Sequence, residues 1–162
     1  MNKFAAAVAM LAVVTTAAPA LADDHADLLG GWMLVSWTAN DADGNVTRYP
    51  MGEDALGAII YSPDGRMSAH LARNPATADE ADEGQTGNGV AGSNSIAYGG
   101  VLEVNEEAGE VYHHVDIASI PGWIGTTLTR TYALDGDMLT LTTPPNQNGG
   151  TNVLVWARVA AE

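Results

Sequence analysis

The chain has 162 residues, no cysteine, and 20 acidic residues against six lysines and arginines, which gives a formal net charge of −14 at pH 7. The lack of cysteine excludes disulfides, thiol catalysis and cysteine-ligated zinc or iron–sulfur sites. Because an anionic surface repels nucleic acid and anionic membranes, we expect neither as a partner.

The first 22 residues have the pattern of a secretory signal peptide. Lys3 precedes a short apolar run over residues 4–14, and Ala20, Leu21 and Ala22 form a small-residue cleavage site. The run is shorter than the ~20 residues that span a bilayer, so a transmembrane anchor is the less favoured alternative. We predict cleavage after Ala22, a periplasmic or secreted location, and one domain over residues 23–162.

From residue 31 onward, short strand patterns alternate with turn signals, and no segment has the pattern of a long amphipathic helix. Ser62-Pro63-Asp64-Gly65 is typical of a hairpin turn. Such regular spacing favours an all-β fold, either an antiparallel up-and-down barrel of about eight strands or a sandwich. The predicted strands cover residues 32–38, 46–49, 58–61, 66–71, 96–104, 110–118, 126–134, 138–143 and 152–159.

One segment lacks this alternation of strands and turns. Residues 74–95 are rich in Gly, Ala, Asp and Glu and have almost no large apolar side chain. We expect a loop there, with at most a short helix around residues 78–83. A loop of this length is either a lid over the open end of a barrel or a disordered insertion.

Several motifs resemble the bacterial and fungal lipocalin-like domain proteins, which are small calycin-type β-barrels. The first is Leu29-Gly30-Gly31-Trp32, in which Gly-x-Trp opens the first strand. The others lie, in the same order, at residues 49–52, 61–69, 113–115, 121–126 and 139–145. The chain departs from the family pattern at residues 74–95, where relatives are more helical. The resemblance implies a closed barrel with an internal cavity, but it implies no particular ligand.

The resemblance also implies a structural pair at the base of the barrel. In lipocalin-type barrels, the first-strand tryptophan is commonly covered by an arginine from near the end of the chain. Here Arg158 follows Trp156 in the last strand. We expect its guanidinium to stack on the Trp32 ring and to form hydrogen bonds with the ends of the chain. Both residues would then be structural rather than ligand-binding.

Strand alternation predicts which side chains face the interior. In the sixth predicted strand, the apolar face consists of Val111, Val115 and Ile117 and takes His113 inward with it. By the same argument Tyr98 points inward with Gly100, Leu102 and Val104. In the seventh predicted strand, the inward residues are Leu128, Arg130, Tyr132 and Leu134.

An inward arginine needs an anion, because burial of an unpaired charge is costly. Arg130-Thr131-Tyr132 also looks like the Arg-x-Tyr carboxylate clamp of fatty-acid-binding proteins. One hypothesis is that Arg130 and Tyr132, with His113 and Tyr98, bind the carboxylate of an apolar ligand, and that Trp123 contacts it at the barrel mouth. The expected apolar wall consists of Met33, Val35, Ile60, Met67, Leu71 and Leu102. Alternatively, Arg130 pairs with Glu53 or Asp54, or a register slip turns it outward.

The histidines allow three interpretations. Adjacent strand residues face opposite sides, so His113 and His114 do not readily chelate one metal ion, and the remaining histidines are His25 and His70. We therefore expect no metal and no cofactor, and we interpret residues 41–45 as a polar turn rather than a calcium loop. His113, Arg130 and Tyr98 would also suit general acid–base chemistry, although a hydrogen-bonded core histidine is the simpler interpretation.

Three functions follow from these patterns. The leading one is an exported barrel that binds a small, mostly apolar molecule, with a carboxylate as the head group that Arg130 would hold. The second is a cofactor-free isomerase, cyclase or hydrolase that uses His113, Arg130 and Tyr98. The third is a filled barrel that acts as a structural or interaction module. Arg130→Ala should weaken binding in the first case, and should lower the melting temperature in the third.

Overall fold

The computed structural model describes residues 23–77 and 94–160. The predicted signal peptide and most of the 74–95 segment, with its predicted short helix, lie outside the described residues. A 3₁₀ segment at Asp23–Leu28 precedes the first strand, and a second one lies at Pro121–Trp123. The described part of the chain contains no helix whose length and apolarity would let it span a bilayer.

The described residues form nine antiparallel strands in one sheet. The order is β2-β1-β3-β4-β5-β6-β7-β8-β9, and a further pairing of β1 with β9 closes the sheet into an eight-stranded barrel, with β2 added beside β1. The predicted barrel is therefore confirmed. The strands are β1 (Gly30–Asn40), β2 (Val46–Arg48), β3 (Leu56–Tyr61), β4 (Arg66–Ala72), β5 (Ser95–Asn105), β6 (Glu110–Ala118), β7 (Thr127–Asp135), β8 (Met138–Thr142) and β9 (Thr151–Arg158).

Turn chemistry produces the short hairpins that connect these strands. Between β3 and β4, Gly65 has φ +79°, which side-chain-bearing residues rarely adopt, and its N–H donates to the Ser62 carbonyl over 3.0 Å. The carboxylate of Asp64 accepts the backbone N–H of Arg66 in the same turn. Hairpins at 62–65, 106–109 and 136–137 lie at one end of the barrel, and the longer connections lie at the other end.

The barrel core is built from alternate residues that turn inward. Its largest fully buried side chains include Trp32, Tyr61, Ile59, His113 and Trp156. Met67, Leu71 and Leu102 are also buried, at 4 to 7% exposure. Burial of apolar side chains on this scale is the main stabilising contribution to such a fold.

Two β-bulges change which residues face inward. On β1 the pairing with β9 shifts between Leu34 and Ser36, so Trp32 and Leu34 face inward before the shift, and Trp37 and Ala39 face inward after it. On β6 the pairing partners pass from Val115 to Ile117, which leaves Asp116 as the extra residue. A bulge inserts one residue and so reverses the inward and outward phase of the strand beyond it.

The prediction was wrong for three residues of the apolar wall and for the inward position of Ile117. Met33, Val35 and Ile60 are 52%, 53% and 53% exposed, and Ile117 is 68% exposed. Met33 and Ile60 are the outward neighbours of buried Trp32 and Ile59, and Val35 is the extra residue of the β1 bulge. Ile117 lies just beyond the β6 bulge. These strands carry apolar residues on both faces, so their alternation alone does not define the inward side.

Candidate ligand-binding cavity

The end of the barrel with the short hairpins is closed by a tryptophan and an arginine. The Arg158 guanidinium carbon lies 4.1 Å from the centre of the Trp32 ring, in the stack expected from the sequence. The guanidinium also donates to the carbonyls of Leu29 and Asp27. The Trp32 indole N–H donates to the Leu28 carbonyl over 3.0 Å. These bonds tie the residues just before β1 to the end of β9.

A cavity of about 330 Å³ lies inside the barrel. Its volume is at the lower end of the ~300–1,000 Å³ range of ligand pockets, so it suits a small molecule. Side chains therefore do not fill this part of the barrel interior. The apolar lining is Trp37, Ile59, Ala69, Leu71, Ile96, Trp123, Leu141, Pro144, Leu154 and Trp156, and the polar lining is Tyr98, Arg130, Thr143, Asn146 and Asn152.

Arg130 lies on the inward face of β7, as the alternation predicted. Its cross-strand partner on β6 is Val111, which is fully buried. One guanidinium nitrogen, Nη1, donates to the carbonyl of Thr129 over 2.6 Å. Within the described residues, no carboxylate forms an ion pair with Arg130. The alternative partner Asp54 instead accepts hydrogen bonds from Asn74 and Thr77.

His113 is fully buried between two tyrosines. Its Nε2 lies 2.9 Å from the Tyr61 hydroxyl, and its Nδ1 lies 3.0 Å from the Tyr98 hydroxyl. Burial, reinforced by the positive charge of Arg130, lowers the pKa of His113 from 6.5 to about 3. Burial also raises the pKa of both tyrosines. All three side chains are therefore neutral over the physiological range.

The structure brings only some of the predicted site residues to the cavity wall. Tyr98, Trp123 and Arg130 line it, and the Tyr98 and Trp123 rings meet edge to face with centroids 5.5 Å apart. His113 lies behind Tyr98 and lines no part of the cavity found among the described residues. Met67 and Tyr132 also do not line the cavity that the described residues form. Met67 is a core residue, and half-buried Tyr132 packs against the core beside Leu141.

Sequence reasoning missed the polar residues after β8. Thr143 and Asn146, in the connection from β8 to β9, and Asn152 on β9 line the cavity, and the backbone N–H of Asn146 donates to the Gly150 carbonyl within this connection. A stretch rich in Asn and Gly predicts a turn, and it gives no sign of the direction of its side chains. Of these three residues, only Asn152 could have been identified from the sequence, because it begins a predicted strand whose inward residues include Leu154 and Trp156.

His114 and the turn at 41–45 are held by hydrogen bonds within the protein. Among residues 23–77 and 94–160, no three His, Asp or Glu side chains converge so as to hold an ion. His114 instead binds Glu103 and Thr127 on the outer surface, over 2.7 and 3.0 Å. The Asp41 carboxylate accepts the backbone N–H groups of Asp43 and Asn45, which makes this segment a turn closed by its own side chain.

A closed antiparallel barrel with a small apolar cavity defines a protein of the lipocalin type, an architecture that fits small-molecule binding. The sequence model of the family described as "Lipocalin-like domain" matches residues 29–159. Since this range covers most of the chain, the protein belongs to the lipocalin-like domain family.

More distant comparisons add little to this assignment. A search of curated protein sequences finds no significant match. Among solved structures, the crystal structure of a mutant of the fluorescent protein UnaG is similar, with a TM-score of 0.40 and 12% sequence identity. That similarity covers 82% of this chain and 96% of the other chain. Similarity this distant carries no information about the ligand.

Proposed function

We propose that this protein binds a small, mostly apolar molecule inside its barrel, and that Arg130 holds a carboxylate of that molecule. The observation that carries the proposal is an arginine without an ion-pair partner among the described residues, on the wall of an otherwise largely apolar cavity. A guanidinium in such surroundings favours an anion, and its planar fork matches the two oxygens of a carboxylate.

The surroundings of Arg130 also support a mostly apolar ligand. The aromatic rings of Trp37, Trp123 and Trp156 and the aliphatic side chains of Ile59 and Leu154 line the same cavity. Contact with such surfaces stabilises an apolar body by about 25 cal/mol per Å² removed from water. The small volume limits this body to a short chain or a compact ring system.

A catalytic role for His113 is supported by no comparable observation. A general base must reach the proton that it abstracts, directly or through one water molecule. Both ring nitrogens of His113 are already hydrogen-bonded to Tyr61 and Tyr98, and the side chain is fully buried. We therefore assign His113 to the support of Tyr98 rather than to chemistry.

Isothermal titration with a matched pair of probes tests the proposal. Decanoate carries the carboxylate, and methyl decanoate has a similar apolar chain without the charge. In the wild type we expect decanoate to bind more tightly. Arg130→Gln should weaken decanoate binding by about 10- to 100-fold, as expected for the loss of a charge-assisted hydrogen bond of roughly 1.5–3 kcal/mol. Methyl decanoate should change much less.

Arg66→Gln is the matched control. Arg66 forms an exposed ion pair with Asp116 on the outer surface, with an N···O distance of 2.7 Å. The same substitution there should leave both affinities unchanged. If the wild type bound neither probe, or if Arg130→Gln bound decanoate as tightly as the wild type, the proposed function would be wrong.

A further inference from the structure

The side-chain oxygens of the amide and threonine residues on the cavity wall already accept hydrogen bonds from other groups of the protein. The indole N–H of Trp37 donates to Oδ1 of Asn152 over 2.9 Å. Because an indole nitrogen is only a donor, it must face the oxygen of the amide, so this contact fixes the amide orientation. The Nδ2 group of Asn152, with its two hydrogens, is the end left for a ligand.

The same orientation holds for the other amide on the wall. Oδ1 of Asn146 accepts the backbone N–H groups of Asn148 and Gly150, over 2.8 and 3.1 Å. Backbone amides are only donors, so Nδ2 of Asn146 is again the free end. Thr143 repeats the pattern, since its hydroxyl oxygen accepts the backbone N–H of Asn152 over 2.9 Å and its hydrogen remains available.

The hydrogen bond with the buried His113 decides whether the Tyr98 hydroxyl can donate to a ligand. Within the described residues, the fully buried Tyr61 hydroxyl has one hydrogen-bond partner, Nε2 of His113. A buried hydroxyl hydrogen without an acceptor is costly, and only Tyr98 of the two tyrosines lines the cavity, where a ligand can accept its hydrogen; we therefore assign the donor role at Nε2 to Tyr61. Nδ1 of the neutral His113 therefore carries the hydrogen and donates to the Tyr98 oxygen, over 3.0 Å. The Tyr98 hydrogen is then free to donate to another group.

Trp156 and Arg130 contribute only donors. The Trp156 indole nitrogen is buried and has no hydrogen-bond partner among the described residues, although the side chain is 1% exposed and lines the cavity. Buried polar groups without partners are rare in folded proteins. The guanidinium of Arg130 has five N–H groups and no acceptor.

The sheet register brings three of these donors to one end of the barrel. Thr131 on β7 pairs with Thr142 on β8, and Thr142 pairs with Val153 on β9. Arg130, Thr143 and Asn152 are the next residues along these strands towards the longer connections. A ligand oxygen held by Arg130 would therefore be close to the strand positions that carry Thr143 and Asn152.

On the basis of the proposed function, we infer that the cavity selects ligands whose polar atoms are all hydrogen-bond acceptors. Apolar carboxylates, esters, ketones and tertiary amides fit this class. An amine, or an amide that carries an N–H group, would bury a donor against a wall whose side chains offer donors. The N–H group would have to share an oxygen that already accepts a hydrogen bond from the protein, so its desolvation is poorly compensated and weakens binding.

A pair of amides that differ in one donor tests this inference. N-methyldecanamide carries an N–H group, and N,N-dimethyldecanamide carries a methyl group in its place. We expect the wild type to bind the dimethyl compound at least about tenfold more tightly, after correction for its greater partition from water into octanol. Equal corrected affinities would overturn the inference.

Asn152→Asp supplies the second test. It keeps an oxygen for the Trp37 indole and replaces the free amide donor by an acceptor. The preference for the dimethyl compound should then fall or reverse, because the N–H group gains a partner. Asn105→Asp is the matched control: its Oδ1 accepts the backbone N–H of Ala108 in the hairpin at the far end of the barrel, and the preference should remain that of the wild type.

The two proposals fail in different ways. If decanoate binds through Arg130 but the two amides bind equally well, the acceptor-only class is wrong and the proposed function remains. If neither decanoate nor either amide binds, both are wrong. A variant of Asn152 that does not fold leaves the wild-type comparison of the amides as the deciding measurement.

Discussion

The buried histidine should make the protein less stable in mild acid. In the unfolded chain His113 titrates near its ordinary pKa of 6.5, whereas burial lowers the pKa to about 3 in the folded protein. Between these values the unfolded state binds a proton that the folded state excludes. Stability is therefore fully present above about pH 6.5 and is lost as the pH falls towards 3.

The size of this effect follows from the shift in pKa. Each pH unit below about 6.5 removes about 1.4 kcal/mol of unfolding free energy, so the loss from pH 7 to pH 5 is about 2 kcal/mol. Other groups titrate in the same range, and the substitution His113→Gln isolates the contribution of this one. Glutamine does not titrate, and it retains a donor and an acceptor for the two tyrosines.

Urea unfolding of both proteins at several pH values between 7 and 5 measures the effect. The difference in unfolding free energy, wild type minus His113→Gln, should fall by about 2 kcal/mol over this interval, whatever its value at pH 7. Parallel curves would show that His113 protonates equally in the folded and unfolded states. The argument that burial excludes the proton from folded His113 would then be wrong.

Three further predictions concern stability, each measured by urea unfolding at pH 7. Tyr61→Phe removes the donor to a buried ring nitrogen and should cost about 1–3 kcal/mol. Arg158→Met removes the stack on Trp32 and two hydrogen bonds to backbone carbonyls, and should cost about 2 kcal/mol. Gly100→Ala should cost about 1–3 kcal/mol or more, because its new Cβ would lie 1.8 Å from the carbonyl oxygen of His114.

Each of these variants has a matched control. Tyr49→Phe changes a side chain that is 39% exposed, and Arg66→Met breaks an exposed ion pair, so each should cost less than about 1 kcal/mol. A Cβ at Gly122 would meet no atom within 4 Å, so Gly122→Ala should be nearly neutral. A test variant no more destabilised than its control would contradict the contact assigned to it.

Much of the fold could be predicted from local sequence. Turn residues such as Pro63, Asp64 and Gly65 separate the strands, and the pattern of apolar residues on β7 has a clear inward side because Thr residues occupy the other face. Arg130 was therefore assigned to the correct face. Where both faces are apolar, as at Met33 and Ile60, alternation has no defined phase.

The remaining errors come from features that depend on tertiary structure. The extra residues of the bulges, Val35 and Asp116, have no local signature, and each reverses the phase of the strand that follows. The direction of the Asn146 and Asn152 amides depends on donors brought from elsewhere, such as Trp37. Sequence alone therefore identified the charged group of the candidate site but missed most of its uncharged donors.

Native mass spectrometry of the protein, purified gently from its own compartment, tests the central claim most directly. The account predicts a bound small carboxylic acid on the wild type, and the same protein without this mass when Arg130 is changed to Gln. Two unliganded proteins, together with a lower unfolding free energy of the Arg130→Gln variant, would contradict it. Arg130 would then stabilise the barrel rather than hold a ligand.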